Sequence, residues 1–141
     1  MSNIRIIRTI SAILLSAMFL AACQQEAEQR PAGEVVQERA QARWDHLIAQ
    51  EYAKAWEYFT PGYRETSPVD QYVASIQRRP VRWEVAEVLS ADCEEARCDV
   101  VVELTYSLPR ASAGLDTVKS TRPISETWIF SRGQWWFTPA N

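Results

Sequence analysis

The chain has 141 residues, is 47% hydrophobic and carries a formal net charge of −3. That balance fits one globular domain able to bury most of its apolar surface, and the mild acidity argues against nucleic acid and against broad electrostatic binding to anionic lipid. Its four glycines leave no glycine-rich phosphate cradle, and nucleophile elbows and metal-spaced clusters are absent, so no cofactor and no metal is expected.

Residues 1–22 begin with a basic segment holding Arg5 and Arg8 and continue as an uncharged apolar run from Thr9 to Ala22. A basic start, a short apolar stretch and small residues before a cut are the marks of a secretory signal peptide. The run falls short of the roughly 20 apolar residues that a membrane-spanning helix needs. Its ending, Leu20-Ala21-Ala22-Cys23, resembles the lipobox of bacterial lipoproteins. That resemblance implies that Cys23 is lipidated and becomes the first residue, with the membrane as partner through its acyl chains. Gln24, rather than Asp, after the cysteine then implies the outer membrane, facing the periplasm. Cleavage would remove both arginines and no acid, taking the charge from −3 to −5. Residues 23–33 are polar, with Pro31 and Gly33, and read as a flexible tether spanning about 15–20 Å.

Residues 34–141 read as the globular domain. The first helix is expected over about Glu34 to Ala49, with Ala40, Trp44, Leu47 and Ile48 on one stripe. Tyr52, Ala55, Trp56 and Phe59 have the spacing of a second, short helix, which Thr60-Pro61-Gly62 stops. Ser67-Pro68-Val69-Asp70 reads as the start of a third, with Ser67 as cap and Val69, Tyr72, Val73 and Ile76 as its apolar stripe, and Arg78-Arg79-Pro80 as its end.

From Val81 the hydrophobic period becomes two. In an exported chain the spacing of Cys93 and Cys98 predicts a disulfide; zinc is the competing reading, but no further Cys or placed His completes a tetrahedral set. With Cys93 opposite Cys98, Leu89 faces Val102, Val85 faces Tyr106 and Trp83 faces Leu108, all apolar pairs on one face. Residues 109–117 form a loop, a third strand covers about Val118 to Phe130 and a fourth about Gln134 to Thr138. An Arg132-Gly133 turn between them sets Phe130 opposite Trp135 and Trp128 opposite Phe137. The expected class is α+β: three N-terminal helices packed on a curved antiparallel sheet of about four strands.

The run Trp44-x2-Leu47-Ile48, then Tyr52-Ala53-x-Ala55-Trp56-x2-Phe59-Thr60-Pro61-x2-Arg64, resembles the helical half of nuclear-transport-factor-2-like domains. Glu126-x-Trp128-Ile129-Phe130-x2-Gly133-x-Trp135-x-Phe137 is similar to their closing hairpin. The resemblance implies a sheet curled into a cone with helices closing one side, often over a cavity. It also admits two classes of function, because some members are isomerases or dehydratases and many are binding or assembly modules.

An enzyme of that kind needs a carboxylate in the cavity. His46, the one histidine, lies off the Trp44/Leu47 stripe and is expected to face solvent. By alternation Glu87, Arg122 and Glu126 share a face with Trp83, Leu89, Trp128 and Phe130, and pairing of Leu104 with Arg122 would place Arg122 beside Glu87. The candidate cavity set is therefore Trp44, Glu87, Tyr106, Arg122, Glu126 and Trp128. A bulge, or a cone mouth with a Glu87–Arg122 ion pair, accounts for the same carboxylates without function. The opposite face collects Val88, Val101, Ile129 and Trp136, a candidate interface for a second copy or an envelope protein, or else scattered apolar groups covered by charged stems. The sequence favours a non-enzymatic lipoprotein that binds a partner protein or a small apolar ligand; a cavity-carboxylate enzyme is the alternative.

Overall fold

The computed structural model describes residues 30–109 and 117–139. The lipobox with Cys23, and most of the loop at 109–117, lie outside the described residues. The element order is α1 (Ala32–Ile48), α2 (Tyr52–Trp56), α3 (Pro61–Thr66), α4 (Val69–Gln77), β1 (Arg82–Glu94), β2 (Arg97–Pro109), β3 (Thr117–Ser131) and β4 (Gln134–Thr138). The strands form one antiparallel sheet in the order β1-β2-β3-β4. Residues 31–141 are a compact unit with its own core. The described helices, the sheet and the disulfide all lie within that unit.

On α1 the buried side chains are Val36, Ala40, Arg43, Trp44 and Leu47, a helical stripe that includes one arginine. Gln50, at φ 60°, ends the helix. Its N–H donates to the Leu47 carbonyl and the Glu51 N–H to that of His46, the paired bonds of a Schellman closure. Gly33 lies where an added Cβ would come within 3.1 Å of the Ala91 carbonyl oxygen, so its missing side chain lets α1 approach β1 closely.

Four helices are present among the described residues, against the three expected. Thr60-Pro61 does not simply stop α2; it starts α3, with the Thr60 hydroxyl accepting from the Tyr63 N–H at 3.3 Å and Pro61 in the first turn. Ser67, expected to cap α4, makes no such bond. Its carbonyl instead accepts from the Trp56 indole at 2.8 Å.

The Cys93–Cys98 disulfide is present, and the two residues face each other across a tight turn at Glu95-Ala96. Beyond it the expected register fails. Register shifts between Val88 and Ser90 and between Trp83 and Val85 insert an extra residue twice into β1, and each bulge reverses which face the following side chains occupy. Val88, not Leu89, therefore pairs with Val102, and Trp83 pairs with Tyr106. Leu89 and Val85 are half exposed, while Ala86 is buried against the helices. The closing hairpin keeps its expected register, Phe130 with Trp135 and Trp128 with Phe137, across a turn in which both Arg132 and Gly133 take positive φ.

Both edges of the sheet are engaged. Along β1, the Gln41 amide donates to the Ala86 carbonyl at 3.0 Å and accepts from the Val88 N–H at 3.1 Å, replacing a neighbouring strand. Along β4, the Phe137 N–H donates to the Tyr58 carbonyl and Phe137 accepts from the Thr60 N–H, so the segment before α3 forms a short parallel bridge.

Candidate functional site

Glu126 lies on β3 opposite Val100, on the face that packs against the helices, and is 7% exposed. A carboxylate so placed must be paired to stay charged. Its Oε1 accepts from the Arg43 guanidinium at 2.8 Å and from the Trp44 indole at 2.9 Å, and its Oε2 accepts from the Trp128 indole at 3.1 Å. The arginine is equally buried. Its guanidinium carbon stands 3.8 Å from the Phe137 ring centroid, a stacked cation–π contact. The Arg43 Nε–H has no acceptor.

This network forms one wall of a cavity of about 600 Å³. Trp44 and Trp83, in edge-to-face contact at 5.8 Å, and Phe59 and Phe137, 5.0 Å apart, supply aromatic surface. Tyr72 and Ser75 of α4, and Arg79 just after it, also line it. β4 pairs only with Thr127–Ser131 of β3, and the cavity reaches the stretch of β3 from Ile124 to Thr127 and the end of β4 at Thr138 and Pro139. Burial pushes the Tyr72 hydroxyl pKa up, while the charges of Arg43 and then Arg79 work against that rise. At the rim, Arg97 is engaged by Asp99 at 2.8 Å.

Of the six candidate cavity residues, the structure brings Trp44, Glu126 and Trp128 together. Glu87 is a correction: the bulge at Leu89 turns it to the outer face, exposed and opposite Glu103. Arg122 does pair with Leu104, but it is exposed and lies over the Tyr106 ring at 5.6 Å, away from Glu87. Of the six only Trp44 and Glu126 line the cavity; Tyr106 and Arg122 do not, and Trp128 is fully buried behind Glu126. His46 pairs with Glu51 at 2.7 Å, outside it.

The four candidate interface residues do not form one patch. The same bulge turns Val88 inward against the core. Trp136 donates to the Ser131 carbonyl at 2.9 Å and lies between the Arg39 and Arg64 guanidinium groups. Val101 and Ile129 remain on the outer face, half-buried.

Arg43, Tyr72 and Arg79 are not among the candidate site residues of the sequence, where Tyr72 is a core residue and Arg79 part of a helix stop. Arg43 had a signal, since it falls seven residues after Val36 and three after Ala40 on the buried stripe. Arg79 had none, because an arginine at a helix end is equally a stop signal. Among the described residues no group of His, Cys, Asp and Glu is arranged to hold a metal ion.

The fold and site define an α+β domain in which an antiparallel four-stranded meander and preceding helices enclose a polar-walled aromatic cavity. A solved structure with a similar fold is that of a SEC-C motif containing protein from Rhodopseudomonas palustris, with TM-score 0.51 and 16% identity over 70% of each chain. At that identity the likeness concerns the fold alone. Comparison of the sequence with protein-family profiles and with curated proteins finds no match.

Proposed function

We propose that this protein is an envelope lipoprotein whose nuclear-transport-factor-2-like domain binds a small, largely apolar ligand without transforming it. The carrying observation is the aromatic cavity whose one buried carboxylate is already engaged by an arginine and two indoles. Its volume falls in the ordinary range of small-molecule sites, and its lining sets aromatic rings beside fixed polar and charged groups. The basic start, apolar run and Leu20-Ala21-Ala22-Cys23 ending support attachment to the membrane, with the domain facing the periplasm on a short tether.

The enzyme reading has less support. A general base needs a lone pair aimed at a substrate proton, and Glu126 already accepts from three donors, two on Oε1 and one on Oε2. Glu87 stands on the other face. A small ligand is also better supported than a second copy docked on the sheet, because the outer face sets Glu87 opposite Glu103 and Asp92 opposite Asp99, and like charges facing each other repel an identical surface.

The test uses N-phenyl-1-naphthylamine, a neutral aromatic probe, with the unit from residue 31 onward. Saturable one-to-one binding is expected, and Ser75→Phe, which fills the cavity from α4, should abolish it while the circular dichroism spectrum stays native. Absence of saturable binding to the wild-type domain would remove this reading.

A further inference from the structure

We infer that the cavity selects a monoanionic amphiphile, with the apolar body against the tryptophan and phenylalanine walls and the acidic group between Arg79 and Arg43 beside the Tyr72 hydroxyl. This rests on the reading of the cavity as a binding site and adds the charge of what it takes.

The charges around the cavity do not cancel. Arg43 is compensated by Glu126, and Arg97 by Asp99. Arg79, a solvent-exposed residue two positions past α4, lines the same cavity and has no ion pair among the described residues. One positive charge is left over, which suits an anion and disfavours a cation or a second carboxylate.

The second observation is the Nε–H of Arg43, a buried donor without an acceptor on a side chain more than nine-tenths buried. Leaving such a group unsatisfied costs about 1–3 kcal/mol, and native structures seldom do so without a reason. Arg43 lines the cavity, but its Nε has almost no accessible surface, so a ligand acceptor reaches that donor only if the Arg43 side chain shifts toward the cavity. Tyr72, which also lines the cavity, has a hydroxyl proton to donate.

The ligand's remaining surface is set by Trp44, Trp83 and Phe137, which offer flat apolar contact. Only one charge is uncompensated, so the fitting head group is a single carboxylate or sulfonate rather than a polyphosphate.

The matched probes are 8-anilinonaphthalene-1-sulfonate and N-phenyl-1-naphthylamine, which share a ring system and differ by the sulfonate. On the unit from residue 31 onward, the sulfonate should bind about tenfold more tightly than the neutral probe at low salt, the gain of one charge-assisted contact. Arg79→Gln should remove most of that advantage and leave the neutral probe's affinity unchanged. Arg78→Gln, a neighbouring exposed arginine that does not line the cavity, should change neither. Equal affinity for the two probes, or loss of both alike in Arg79→Gln, would overturn the anion inference while leaving the cavity reading standing. Failure of both probes to saturate the wild-type domain would overturn both.

Discussion

Glu126 and Arg43 show how much one buried pair decides. Alternation along β3 was enough to place Glu126 on the inner face, because β3 pairs with β2 without interruption from Thr117 to Ile129. Its partner was hidden, since an arginine in a helix stripe looks like a solvent-exposed residue until the helix is docked. Replacing Glu126 by Gln keeps an acceptor for only one of the two indoles and leaves the Arg43 charge buried without a counter-charge. Breaking a buried pair by removing one partner costs about 3–5 kcal/mol, so E126Q should lose about 3 kcal/mol in urea unfolding. Adding Arg43→Met should recover at least half of that, because the stranded charge is gone. If the double variant is no more stable than E126Q, the pair is not what holds this part of the core.

At the level of elements, the helices were legible from spacing, and their limits from local chemistry read partly the wrong way. Thr60-Pro61 contains a cap and a first-turn proline, so the pair that ends one helix begins another. Gln50 carries the left-handed closure of α1, a conformation that costs a residue with a Cβ about 1–2 kcal/mol relative to the right-handed one. Gln50→Gly should therefore raise stability by about 1 kcal/mol, read as a higher denaturation midpoint with an unchanged slope. A fall in the midpoint would mean that the Gln50 side chain contributes packing beyond its backbone role. β1 is the element that spacing misread. Its two bulges leave Trp83 and Cys93 on the inner face but turn Val85, Glu87 and Leu89 away from it. Gln41 bonds the strand at Ala86 and Val88, between those bulges, and a side-chain contact of that kind leaves no periodic trace.

For the whole molecule, the helices cover one face of the sheet, both sheet edges are engaged, and the cavity lies past the end of the short β4. The proposed anchor belongs to this scale, since it would hold the domain near the membrane surface. Cys23→Ser should move the protein from the membrane to the soluble envelope fraction, because multiple acyl chains anchor stably and none remain. Tight membrane attachment of C23S would remove the lipoprotein assignment and leave the cavity reading untouched.

By itself, the sequence determined the α+β order, the helix stripes, the disulfide and the registers of the closing hairpin, because each rests on residues close along the chain or on unbroken alternation. It also placed Trp44, Glu126 and Trp128 on inward-facing positions. Tertiary structure alone decided that these three meet at one carboxylate with Arg43, that Glu87 leaves the site, and that Arg79 enters it. Those outcomes depend on two single-residue insertions in β1, on the docking of α1 against the sheet and on that of α4 against α2, which bring together residues as much as 96 positions apart.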